Sequence, residues 1–134
     1  MSTLKTVLAM IGLAFAVNAV SADVEKTSFT EERFKSLQEQ ENTLILLDVH
    51  AEWCPTCAKQ GEALAEYQAQ NPEVPLTILN IDFDDQKKWV KHFKAPRQST
   101  LILYRGEERL WFSVAETRKD VIFEALDEAA GQVQ

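Results

Sequence analysis

Cysteine, glycine, proline and methionine are all scarce in this 134-residue chain, which has two, four, four and two of them. Two cysteines exclude a disulfide framework, and the length suffices to bury a core without one. Nothing in the composition marks a linker or a second domain, and there is no internal repeat, low-complexity tract or run of like charge. Basic residues are in deficit, 14 Lys and Arg against 21 Asp and Glu, for a formal net charge of −7. That balance argues against nucleic acid or an anionic membrane as a partner and favours solubility. The one long uncharged apolar stretch, Val7 to Val17, is about half of the roughly 20 residues that span a bilayer.

This stretch follows Lys5 and leads to the small residues Val20-Ser21-Ala22 before Asp23. The pattern is that of a secretory signal peptide, residues 1–22, cut after Ala22 or, as second choice, Ala19. It holds no cysteine, so a lipoprotein-type anchor lacks its thiol. The expected product is an exported, single soluble domain, 23–134, without a membrane anchor. In oxidising compartments a cysteine pair is most often structural. A bridge from Cys54 to Cys57, however, closes a very short loop, and cross-linking gains little there because its entropic benefit grows with loop length. Close spacing suits exchange, in which one thiolate attacks a partner and the other resolves the mixed disulfide.

The element pattern is α, β, α, β, α, β, β, α. Phe29 to Leu37 reads as a short amphipathic helix capped by Ser28 or Thr30. The near-continuous apolar runs Thr43–Val49 and Leu76–Asp82 read as strands buried on both faces. Between them, Pro55 to Gln70 has helical spacing with Ala58, Leu64, Ala65 and Tyr67 inward, and so long a crossover makes the two strands parallel. Asp84 to Phe93 reads as a helix with Trp89, Val90 and Phe93 on one face. Thr100–Tyr104 and Arg109–Val114 flank a glycine-bearing turn and form an antiparallel hairpin. Thr117 to Asp120 is a capping-box-like start for a last helix with Val121, Ile122, Ala125 and Leu126 inward. Trp89, Trp111 and Phe112 belong to the core or its edge.

The cysteines thus fall at a strand-to-helix junction. A sulfur at the amino end of a helix faces unpaired amides and the positive end of the dipole, which favour thiolate; Cys54 is then the nucleophile. Cys57, one turn further in, resolves, and Pro55 fits the first helical position. Asp48 interrupts an apolar run, so its carboxyl is expected to be buried with its pKa raised by desolvation, unless it marks a bulge or a sheet edge.

Asp48-Val49-His50-Ala51-Glu52-Trp53-Cys54-Pro55-Thr56-Cys57 resembles the D-x-x-A-E-W-C-x-x-C segment of the thioredoxin family, and Leu79-Asn80-Ile81-Asp82 resembles that family's next strand. The resemblance implies an α/β three-layer sandwich with a mixed central sheet flanked by helices. It also implies a protein thiol–disulfide oxidoreductase that needs no bound cofactor and, with so short a signal on a small chain of this family, a periplasmic location. By resemblance Asp48 is the buried acid that moves a proton to or from Cys57. The family's lysine partner of that acid is absent, its place taken by Ile78. The cis-proline before the third main strand is replaced by Ser99, followed by Thr100, and without proline a cis bond costs about 2.5–4 kcal/mol, so trans is expected at Gln98–Ser99. Ser99 offers its hydroxyl to the sulfurs or is a plain turn serine. Glu62 stands where the family has a helix-kinking proline and Ala115 where it has a loop glycine.

Trp53, Ser99 and Thr100 are the residues expected at the substrate groove, although Trp53 is equally suited to packing alone. His50 either tunes Cys54, joins both cysteines as a metal ligand or is a partly exposed strand-end residue; His92 reads as solvated. Thr56 lacks the imidazole found in strongly oxidising members, which points to a reductase recharged by a membrane electron donor and acting on protein thiols and disulfides. The alternatives are a copper or zinc chaperone using Cys54, Cys57 and His50, and a redox-switched interaction domain.

Overall fold

Every residue from Leu44 to Val49 is fully buried, which only a central strand with both faces covered can achieve. A computed structural model describes residues 27–133; the expected signal peptide and its cleavage point at Ala22 lie outside them. The apolar run forms β2, Leu44–His50. It pairs in parallel with β3, Leu76–Asp82, and antiparallel with β4, Thr100–Arg105. β1, Thr27–Ser28, lies outside β3, and β5, Glu108–Val114, lies outside β4, giving the order β1-β3-β2-β4-β5. The helices are α1, Glu31–Gln38; α2, Pro55–Gln70; α3, Lys87–His92; and α4, Lys119–Gly131.

Alternation along β2 assigns the layers. Ile45, Leu47 and Val49 pack with Phe34 of α1 and Val90 of α3 on one face. Leu44 and Leu46 pack with Leu64 of α2 and Leu126 of α4 on the other. The result is the expected three-layer sandwich around a mixed sheet. On the first face Phe29 is the hub of an aromatic cluster, with ring centroids 5.7, 5.0 and 5.6 Å from Phe34, Trp89 and Phe93.

Several local readings are corrected. Ala58 and Ala65 are exposed, and the buried face of α2 is Cys57, Gln60, Ala63, Leu64 and Tyr67. The burial of Cys57 sets the helix phase, and alanines are too small to declare it. The third helix starts at Lys87, not Asp84, because Asp82 Oδ1 accepts the amides of both Asp84 and Asp85 and folds that stretch into a turn. Thr30, not Ser28, caps α1 through its hydroxyl. The Thr117–Asp120 box does not form: Arg118 is the N-cap of α4 without a side-chain cap bond, and the Arg118 amide and guanidinium are held by Glu116 instead. The hairpin strands each extend one residue, to Arg105 and Glu108, around Gly106 at φ +56°. β1 is two residues long, too short to leave a sequence pattern. His92 is exposed, yet its ring meets Trp89 and Phe93 edge-on at 5.3 and 4.8 Å.

Phe29→Ala is expected to cost about 3–5 kcal/mol by emptying the centre of this cluster. Urea unfolding checks it: the midpoint falls with little change in slope.

Candidate active site

Cys54 is the N-cap of α2, with Pro55 in the first turn. The Cys57 amide donates to Cys54 Sγ at 3.1 Å, so one of the orphan amides of the helix end is spent on the sulfur. The two cysteines form a disulfide with Cα atoms 5.2 Å apart. Cys54 is 4% exposed and Cys57 1%, so Cys54 is the outer sulfur. Beside them Trp53 is 60% exposed, its indole N–H donating to Asp84 Oδ2 at 2.8 Å. It does not serve the core.

Asp48 is fully buried in an unbroken part of β2, in register with Asn80 on one side and Leu101 on the other. It is neither at a bulge nor on a sheet edge. Its side chain shares the face of Leu46 and Leu101, the face that α2 covers. Ile78, 2% exposed, fills that face at the position where the resemblance places a lysine. His50 ends β2 partly buried, and its carbonyl accepts the Phe83 amide at 2.8 Å.

Opposite the disulfide, the peptide before Ser99 is trans, as expected. Ser99 is fully buried, with φ +67°. Its amide donates to Val49 O at 2.8 Å, and its carbonyl accepts the Ala115 amide at 2.9 Å. The hydroxyl lies 3.1 Å from Cys54 Sγ and 3.2 Å from Cys57 Sγ, so Ser99 is not a plain turn serine. Thr100 is also fully buried and donates its hydroxyl to Arg97 O at 2.7 Å.

Sequence reasoning missed Gln60. It is fully buried and its carboxamide N–H groups reach Ser99 O at 3.0 Å and Glu116 O at 2.9 Å, tying α2 to the turn that faces the disulfide and to the loop after β5. Its place three residues after Cys57, on the buried side of the helix, was the available signal. Arg118, hydrogen bonded to Glu116, holds that carboxyl down at about 2. Ala115 adopts φ +57°, the conformation a glycine would take, so the loop keeps its shape without the residue that takes it freely. Glu62 is exposed on α2.

A buried strand that carries an acid on the face covered by α2 and leads to a cysteine pair at a helix amino end, with an exposed indole beside it, defines a thiol–disulfide exchange site. A thioredoxin family model matches residues 25–128, and the chain belongs to the thioredoxin family. Among solved structures, the protein Trxlp of Edwardsiella tarda EIB202 is 32% identical, with a TM-score of 0.70 over 75% of this chain and 96% of that one. The thioredoxin of Chlamydia trachomatis is 30% identical over 62% of this chain and 79% of its own. The thiol:disulfide interchange protein DsbE of Pasteurella multocida is 35% identical over 53% of this chain and 39% of its own. The chain is a thioredoxin-like thiol–disulfide oxidoreductase. The copper or zinc alternative finds no support: among the described residues no group of three or more His, Cys, Asp or Glu side chains converges as a metal cage.

Ala115→Gly is expected to stabilise the protein by about 0.5–1 kcal/mol, relief of left-handed strain outweighing the added chain entropy. A rise in the urea midpoint checks it; a fall shows that the strain at this position is negligible.

Proposed function

We propose that the protein reduces disulfides in protein clients, with Cys54 as nucleophile and Cys57 as resolving thiol. The observation that carries this is the position of Cys54 Sγ, at the N-cap of α2 with the Cys57 amide directed at it. The Cys54 thiolate attacks one sulfur of a client disulfide, forming a mixed disulfide and expelling a client thiolate. The Cys57 thiolate then attacks Cys54 Sγ, expelling the second client thiolate and closing the enzyme disulfide; two electrons pass from enzyme to client. Asp48, fully buried on the face of β2 that α2 covers, takes the Cys57 proton directly or through water in the second step.

Trp53, Ser99 and Thr100 are assigned to client recognition in different ways. Trp53 offers an exposed aromatic face next to Cys54. Ser99 and Thr100, both buried, act by fixing the loop that faces the disulfide. The reducing direction is favoured by Thr56, which brings no imidazole to the thiolate. Re-reduction then requires an electron donor, which we place in the membrane, and the compartment is the periplasm, reached through the signal at 1–22. Among the described residues no helix is long and apolar enough to cross a membrane.

Cys57→Ser is expected to accumulate mixed disulfides through Cys54, identifiable by mass spectrometry of the captured partners. Complete absence of such adducts favours a redox-switched interaction domain. A reduction potential near that of thioredoxin, about −270 mV, agrees with a reductase, whereas one near −120 mV overturns that direction. Asp48→Asn is expected to slow resolution of the mixed disulfide on the order of a hundredfold, the low end of proton-transfer catalysis. Stopped-flow measurement of the second step checks this, with Cys54 alkylation left nearly unchanged.

A further inference from the structure

Resting on the assignment of Cys54 as nucleophile, we propose that Ser99 is a catalytic residue. Its hydroxyl is shared by the two sulfurs, donating to the Cys54 thiolate while accepting from the Cys57 thiol, and Gln60 is the positioning residue that holds it there. The geometry is a single Oγ 3.1 and 3.2 Å from the two sulfur atoms, inside a site where Ser99 is wholly excluded from water. A hydroxyl has one donor and two acceptor lone pairs, so it can donate to a thiolate and accept from a thiol at the same time. The reduced pair has that composition: a thiolate at the helix end and a thiol one turn inside. The hydroxyl therefore favours the charge on Cys54 and the proton on Cys57.

The backbone is held for this purpose at both ends. Ser99 adopts φ +67°, a conformation that non-glycine residues take at a cost. Its amide is fastened to Val49 and its carbonyl accepts from both Ala115 and Gln60. Gln60 spends both donated hydrogen bonds on loop carbonyls, at Ser99 and Glu116. In the exchange itself no atom of Ser99 is consumed. When the Cys54 thiolate attacks a client disulfide its charge leaves with the client sulfur, and the hydroxyl is then left against the neutral mixed disulfide and the Cys57 thiol. It returns to the thiolate when the enzyme disulfide is next reduced.

The test uses the full-length reduced protein with Ser99→Gly, Ser99→Ala and Gln60→Met. Glycine removes the hydroxyl and also relieves the left-handed backbone, so this variant folds; alanine removes the hydroxyl and keeps the strain. In both, the thiolate absorbance of Cys54 is expected to titrate about one pH unit higher, because a charge-assisted hydrogen bond has been lost. Iodoacetamide alkylation below that midpoint slows about tenfold. Because the hydroxyl favours the reduced form, the exchange equilibrium moves about tenfold toward the disulfide, lowering the potential by about 30 mV. Gln60→Met is expected to shift the titration in the same direction by a smaller amount, and to add nothing in the Ser99→Gly background. Two results overturn the proposal: a Cys54 titration unchanged in folded Ser99→Gly, or a rise confined to Ser99→Ala, which assigns the effect to backbone strain. A Gln60→Met shift that persists undiminished without the hydroxyl overturns the positioning role. Mapping the alkylated cysteine in the wild type separates these outcomes from failure of the Cys54 assignment: label on Cys57 refutes the nucleophile itself.

Discussion

The Val49 carbonyl accepts the Ser99 amide at 2.8 Å, and the two halves of the site depend on that contact. Val49 is the last fully buried residue of β2, and five residues later the chain reaches Cys54. Ser99 immediately precedes β4, which pairs with β2 through Val49↔Thr100. One position at the end of a rigid central strand therefore fixes both the turn that carries the sulfurs and the loop that faces them. The Cys54 amide bonded to Ala51 O at 3.2 Å closes the turn, and α2 cannot slide because Leu64 and Tyr67 are buried against the sheet. Tyr67 is further held by its hydroxyl on Asp127 at 2.9 Å, and burial together with that carboxylate pushes the phenol well above its ordinary range.

Unfavourable features concentrate around the same point. Ser99 and Ala115 both occupy the left-handed region, and they are bonded to each other through the Ala115 amide and the Ser99 carbonyl. Asp48 and Gln60 place polar side chains in full burial, an arrangement that is costly unless their groups find partners. Each such feature persists only where surrounding structure over-determines it. The flanking β2 and β4 supply that support, through Leu44–Leu47 and Leu101–Leu103, all wholly buried.

The sequence made the frame legible where one physical cause dominated. Leu44 to Val49 has no period because both faces of β2 are covered, and the length of the Pro55–Gln70 crossover implied the parallel pairing. The pair of sulfurs, their order of exposure and the burial of Asp48 followed from that junction. What stayed hidden depends on side chains whose role is not set by hydrophobicity. Gln60 looks like any polar helix residue until Cys57 fixes the helix phase. Asp82 and Glu116 turn the chain by accepting nearby amides, so α3 starts at Lys87 instead of Asp84 and the capping-box-like start at Thr117 is unused. Ala115 and Ser99 take a backbone conformation that neither residue type announces.

The donors recorded at the sulfurs are the Cys57 amide and the Ser99 hydroxyl, both neutral, and neutrality matters over a full cycle. A buried cation would also stabilise the thiolate, but once the disulfide closed it would be left in a desolvated site without its counter-charge, a state costing several kcal/mol. An amide at a helix end and a hydroxyl with lone pairs of its own lose far less when the sulfur becomes neutral. Ile78, at the position where the resemblance places a lysine, follows the same pattern: β3 offers an apolar side chain to the face that holds Asp48. On the proposed roles, the site meets the Cys54 sulfur with oriented dipoles rather than with paired charges, and dipoles tolerate the loss of charge when the disulfide closes.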